Sequence, residues 1–263
     1  MLKKNLLLIA LCLLSIVNVE AQEPFKIGAE TLIPFEYSQD GKPTGINIQL
    51  IDTIFKRLNI PYEIVFGTDE ERAFDKIKHG KLDAILSISF KEDRLKTLLY
   101  PEGFENEETP QNFMWTSEYV FFVKKGKSTA WKNLTIKELK SENVIVGVID
   151  GVSYSEEFWN AGIKTLKGNN DQENFERLQK GEIDLYLTDK TIGRFTLRSL
   201  QMDNEITYLP HKLITKPYTL AISLTSSHPD KAKVISNFYK ELEWAKKSGI
   251  ARKIFMEYLQ QAP

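Results

Sequence analysis

The chain has 263 residues, 42% of them hydrophobic and 27% charged, with a formal net charge of −1. This is the make-up of a soluble globular protein long enough for two lobes of ordinary domain size. It has no basic stripe and no long run of one charge, which gives nucleic acid no electrostatic footing.

In chain order, Lys3 and Lys4 precede an apolar run over residues 6–17, and Val19-Glu20-Ala21 follows. This predicts a secretory signal over residues 1–21, cleaved after Ala21. A run of about a dozen apolar residues is shorter than the ~20 that a spanning helix needs. The single cysteine, Cys12, lies inside the signal, and Leu11 stands before it in place of the small residue of a lipoprotein site. The mature chain is then free of thiols and disulfides, and a bacterial periplasm is the expected location.

Residues 25–29 read as the first mature strand, and Asp40-Gly41-Lys42-Pro43 as a turn. A helix is predicted over 46–58, with Ile48, Ile51, Ile54, Phe55 and Leu58 on one face. A strand over 61–66 and a helix over 69–78 follow. Gly80 can take the left-handed conformation that closes this helix. Residues 82–88 form a short apolar run, as expected of a strand covered on both faces. The run ends in Ser87, Ser89 and Arg94, polar groups that a core strand would not need. Ser89 and Glu92 form a capping pattern, so a helix is predicted to start at Ser89. A helix start beside an arginine suits an anion, and ligands of open α/β sheets sit outside the carboxyl ends of the strands.

The stretch from 101 to 116 is polar and irregular, longer than expected, and is read as a possible wall of the cleft. A strand over 118–123 then crosses into a second lobe. There Thr135 and Glu138 cap a short helix, residues 144–149 form a strand, and Asp150-Gly151-Val152-Ser153 stand at its end before a helix from Ser155. A helix over 171–180 leads to Lys180-Gly181-Glu182-Ile183-Asp184, which repeats the pattern around Gly80. Its strand ends in Asp189 where the first led to Arg94. The equivalent places of Ile27-Gly28 and Val146-Gly147 extend the repeat. Residues 206–222 read as an extended return, and helices over 229–242 and 250–259 are expected to pack back on the first lobe. The βαβα order predicts α/β lobes with a mostly parallel sheet. Lobe 1 is discontinuous (22–117 and 214–263) and lobe 2 (118–213) is inserted in it. Two connecting strands permit a hinge.

These motifs, in this order and spacing, resemble the family 3 extracellular solute-binding proteins, the periplasmic amino-acid receptors of ABC importers. The resemblance rests on Ile27-Gly28, Pro34-Phe35, Gly41-Lys42-Pro43-Thr44-Gly45, the 83–89 strand with Arg94, the turn at 147–153, and Gly181-Glu182-Ile183-Asp184 to Asp189. It implies a two-lobed periplasmic-binding-protein-like fold of type II with two hinge strands. It implies a non-enzymatic, monomeric receptor for an amino acid or similar zwitterion, docking on an ABC permease. Arg94 would hold the ligand carboxylate in a bidentate pair, with Ser89 and Ser153 bonding it too. Asp189 would take the ammonium, assisted by Ser87. Arginine's planar fork and aspartate's acceptors suit those partners. Glu70, and Leu32 or Ile33, stand near positions where the family commonly places aromatic rings. If Glu30 and Glu70 both face the cleft, a cationic ligand side chain is favoured.

Taken singly, Arg94 reads as a solvated helix residue, Asp189 and Ser153 as helix caps, Ser87 and Ser89 as strand terminators, and Glu30 as a loop acid. Asp83 and Asp184 read as structural. His79, His211 and His228 lack metal-ligand spacing, so neither metal nor cofactor is expected. The rival readings are an enzyme on the same scaffold, a dehydratase of cyclic acids with Glu30 or Glu70 as its acid or base, and a sensory binding protein with no importer.

Overall fold

The computed structural model describes residues 23–68, 71–105, 111–128, 131, 136–141, 143–149 and 160–261. The predicted signal with Cys12, Glu70, the Thr135 cap, and the turn and helix start around Ser153 lie outside them.

Strand β1 (Phe25–Ala29) is followed by a small hairpin, β2 (Tyr37–Gln39) and β3 (Lys42–Thr44). Helix α1 (Ile46–Leu58) buries Ile48, Ile51, Ile54 and Phe55, the face its periodicity predicts. Strand β4 (Tyr62–Phe66), helix α2 (Ala73–Lys78), β5 (Ala84–Ile88) and β6 (Leu98–Leu99) complete this part of the first lobe. The long strand β7 (Trp115–Lys124) leads into the second lobe. That lobe holds α3 (Ile136–Ser141), β8 (Val146–Ile149), β9 (Thr165–Gly168), α4 (Asp171–Lys180), β10 (Leu185–Asp189), α5 (Lys190–Ser199) and β11 (Ile206–Tyr208). Strand β12 (Ile214–Ser223) returns, and α6 (Lys231–Lys247) and α7 (Ile250–Gln261) pack against α1 and each other.

The main sheet runs β4-β1-β5-β12-β7-β10-β8-β9. It is mixed, which corrects the expected mostly parallel sheet. Pairing is parallel for β4-β1-β5 and for β10-β8-β9, and antiparallel wherever β12 or β7 takes part. The antiparallel pairs follow from the chain crossing between lobes once in each direction. Strand β12 pairs through Ile214–Tyr218 with β7, then from Thr219 onward with β5.

The internal repeat has a packing cause. A Cβ added to Gly28 would lie 2.6 Å from Leu82 Cδ1, and one added to Gly147 would lie 2.4 Å from Ile183 Cδ1. Each glycine thus admits the aliphatic residue that precedes the repeated aspartate. Asp83 accepts from the Lys26 amide at 2.9 Å and Asp184 from the Ile145 amide at 3.1 Å, two residues before each glycine. Both aspartates are structural in this respect. Gly80 and Gly181 take φ of 69° and 82° at the helix ends.

Other boundaries shift. Helix α2 starts at Ala73, not residue 69, and its first amide is capped from outside the helix. Strand β9 carries no apolar alternation, with exposed Leu166 and Lys167, so the sequence did not mark it. No helix starts at Ser89. A 3₁₀ turn forms over Glu92–Lys96, with Lys91 before it and no side-chain cap. The described ends of the 101–116 stretch fold onto the first lobe: Phe104 is buried and stacks 5.5 Å from Tyr100, and Lys246 Nζ donates to the Phe113 carbonyl.

Candidate functional site

Strand β5 ends irregularly. Ser87 takes φ of 51°, a region that β-carbon residues enter at a cost, and the β5–β12 register shifts nearby. Beyond it, Arg94 folds back from the 3₁₀ turn so that Nη1 donates to the Ser89 carbonyl at 2.7 Å and reaches Ser89 Oγ at 3.4 Å. The Tyr100 hydroxyl donates to the same carbonyl at 2.8 Å. These bonds occupy Ser89 in place of the predicted cap. The guanidinium lies 5.7 Å from the Phe74 ring centre. Among the described residues no carboxylate pairs with it.

Ser87 serves a different cluster. Its hydroxyl donates to Glu36 Oε2 at 2.9 Å and accepts from Asn47 Nδ2 at 2.9 Å and Trp115 Nε1 at 3.3 Å. Asn47 also donates to Glu36 Oε2 at 2.7 Å. Glu36 is 1% exposed. Burial pushes its carboxyl up to about 7, against the lowering effect of the bonds from Ser87 and Asn47. Sequence reasoning missed both residues. Glu36 follows Pro34-Phe35 and carries no local pattern that marks it. Asn47 offered a signal: it shares the buried face of α1 with Ile51 and Ile54, where a polar side chain must find a partner.

The Glu36 shift has a consequence for stability. The folded chain keeps this proton up to about pH 7, whereas the unfolded chain releases it near 4.5. Folded protein therefore binds more protons in that window, and stability falls as pH rises through it, by ~3 kcal/mol for this group. Urea denaturation of the ligand-free protein at about pH 5 and about pH 8 should show the decline, and Glu36→Gln should flatten it. A wild-type profile as flat as the variant's would place the ionisation at ordinary carboxylate pH.

Across the junction, Asp189 ends β10 and caps α5. Its Oδ1 accepts from the Thr191 and Ile192 amides at 2.7 and 2.9 Å, and its Oδ2 from Ser117 Oγ at 2.7 Å and the Glu118 amide at 3.1 Å. Those donors fill the lone-pair positions of a carboxylate, about four in all. Burial raises its pKa, and the bonds from Ser117 and the helix amides oppose that.

Three stacked rings lead to the lobe boundary. Phe35 stacks on Trp115 at 3.9 Å, and Trp115 on Tyr218 at 4.5 Å. Tyr218 shares a 3.0 Å hydrogen bond with the Tyr119 hydroxyl. Burial raises the Tyr218 pKa, the Tyr119 bond opposes it, and the charges of Asp189, Arg94 and Glu36 all act on it. Ser87 and Glu36 thus connect through Trp115 and Tyr218 to Tyr119, and Asp189 reaches the same strand, β7, through Ser117 and Glu118. Glu30 is engaged elsewhere: its Oε1 accepts from the Ala73 amide at 3.0 Å and from Arg72 at 3.3 Å, at the start of α2. A groove of ≈ 720 Å³ between α5 and α7, lined by Lys190, Arg194, Phe195 and Phe255, is distinct from this cluster. It is also lined by Thr116 and Glu118, which alternate with the inward-facing Ser117.

Residues 25–148 match the model of the bacterial extracellular solute-binding proteins, family 3. No curated protein matches the chain. Among solved structures, a histidine kinase sensor domain with similarity to periplasmic binding proteins aligns at 18% identity and TM-score 0.69, covering 90% of this chain and 96% of its own. The P235GK mutant of ArgBP from T. maritima aligns at 18% identity and TM-score 0.66, covering 90% and 95%. An ancestral amino acid-binding protein, AncCDT-1, described as a precursor of cyclohexadienyl dehydratase, aligns at 20% identity and TM-score 0.66, again covering 90% and 95%. The fold is the two-lobed one of periplasmic binding proteins.

Proposed function

We propose that this family 3 solute-binding protein closes its lobes over one amino acid or similar small zwitterion and delivers it to an ABC-type importer. The observation that carries the reading is that Ser87 and Asp189 both bond the start of β7, through Trp115 and through Ser117 and Glu118, while Arg94 folds back on Ser89, two residues beyond Ser87. Among the described residues Arg94 has no acid partner, and β7 and β12 run paired between the lobes. A cleft at that junction is complementary to a ligand that brings its own carboxylate and ammonium. Arg94 takes the carboxylate with Ser89, and with Ser153 where lobe 2 closes. Asp189 and Ser87 stand on the ammonium side. Glu30 instead holds the start of α2, bonded to the Ala73 amide and Arg72. The lobes are residues 22–117 with 214–263, and 118–213, and the working form is a periplasmic monomer released from its 1–21 signal.

The test is a thermal melting screen of the purified protein against the standard amino acids. A ligand at ~100 times its dissociation constant adds ~2.7 kcal/mol, which raises Tm by several degrees. No shift with any amino acid overturns the reading.

One observation favours a second reading, an enzyme on the same scaffold: Glu36 titrates near neutrality, where a general acid or base works best. Turnover of a prephenate-like cyclic acid, lost in Glu36→Gln, would establish it.

A further inference from the structure

The acid side of the cleft has two candidates for the ligand ammonium, and they differ in what they have left to give. Asp189 accepts four donors, three from its own lobe and one from Ser117 at the lobe boundary. To bond an ammonium it would have to release Ser117 or a helix-capping amide, each a loss of a buried partner. Glu36 is equally buried, yet both of its side-chain bonds converge on Oε2. Among the described residues no donor reaches Oε1.

The surroundings of Glu36 explain why an oxygen is left over. Asn47 of α1 and Ser87 of β5 hold one edge of the carboxylate, and Trp115 of β7 braces Ser87. Phe35, the preceding residue, closes the ring stack against Trp115 and Tyr218. Among the described residues no lysine or arginine pairs with Glu36, and burial and the bonds from Ser87 and Asn47 are what act on its carboxyl. A buried carboxylate in such a place is stable only when neutral or when a cation arrives. We propose that Glu36 is the direct acceptor of the ligand ammonium through Oε1, the oxygen that Asn47 and Ser87 leave unbonded. On capture its carboxyl gives up the proton that burial favours in the empty protein. The proton passes to solvent and the ammonium replaces it as the neutralising charge. Asp189 then acts by its field and by fixing Ser117 and the start of α5. This rests on the amino-acid reading of the cleft.

The pH consequence follows from the raised carboxyl, at about 7 in the empty protein. Binding that requires its ionised form is about tenfold tighter at about pH 8 than at about pH 6. The experiment is isothermal titration of wild type, Glu36→Gln and Asp189→Asn with the twenty standard L-amino acids and with the desamino acid of each binder. Buffers of different ionisation enthalpy give the protons released. Wild type is expected to release protons on binding near pH 7. Glu36→Gln, isosteric and without a buried charge to lose, is expected to fold, to bind about ten- to a hundredfold more weakly, and to release none. With the desamino acids the penalty of Glu36→Gln should disappear, a result that a merely structural role would not give. Equal amino-acid affinity and unchanged proton release in Glu36→Gln overturn the inference and leave the amino-acid reading standing, as does the same pattern found in Asp189→Asn instead. If wild type binds no amino acid, both fall.

Discussion

Arg94→Ala is expected to weaken amino-acid binding by about two to four decades. The guanidinium has one donor on the Ser89 carbonyl and, among the described residues, no carboxylate partner. Its charge is therefore uncommitted until a ligand brings one. Stranding a carboxylate in a closed cleft costs ~3–5 kcal/mol, the penalty of breaking one side of a buried pair. The folded protein loses only the Ser89 bond and the edge of Phe74, so its melting temperature should stay within a few degrees of wild type. Arg94→Lys should recover part of the affinity, because an ammonium supplies charge without the planar fork. Isothermal titration with the strongest binder of the melting screen decides it. Wild-type affinity in Arg94→Ala would remove the guanidinium from the site.

Asp189→Ala should instead be seen first in stability, with a loss of about 2–4 kcal/mol. The substitution removes a helix cap, worth ~1–2 kcal/mol. It also leaves the Ser117 hydroxyl and the Glu118 amide without their acceptor, at ~1–3 kcal/mol each. Burial penalises the Asp189 charge, as the upward push on its pKa shows, and relief of that penalty offsets part of the loss. For a chain of this size the net change lowers Tm by roughly 5–15 °C. Asp189→Asn keeps an acceptor for the helix amides and should lose less. A melting temperature unchanged in Asp189→Ala would mean that the four bonds are not holding β7 to α5.

Much of the architecture was legible because apolar periodicity and glycine punctuation are local signals. Residues 46–58 announced α1, and the two Gly-x-aliphatic-Asp units announced the repeat, whose cause is the close fit of Leu82 on Gly28 and of Ile183 on Gly147. The site was legible only in part. Ser89 carried a capping pattern, but the long-range pull of Arg94 and Tyr100 on its carbonyl overrode that local preference. Glu36 gave no local sign, since its partners come from α1 and β5, 11 and 51 residues away. The role of β12 was hidden for a related reason. Its proline-bearing stretch reads as an extended return, but nothing local says that it pairs first with β7, with Pro217 opposite Thr116, and then with β5.

Strand β12 changes neighbour between Tyr218, opposite Trp115, and Thr219, opposite Ile88. A ladder resists shear along its length but bends easily where one row of bonds stops and another begins. In the proposed closure the pivot falls at the Phe35–Trp115–Tyr218 pile, whose flat faces can slip without losing contact. A small torsion there is amplified along each lobe, so a fluorophore far from the axis would swing widely while Trp115 scarcely moves. Substitutions at the fulcrum would accordingly alter how fast the molecule opens, and leave the strength of its grip to the groups at the cleft.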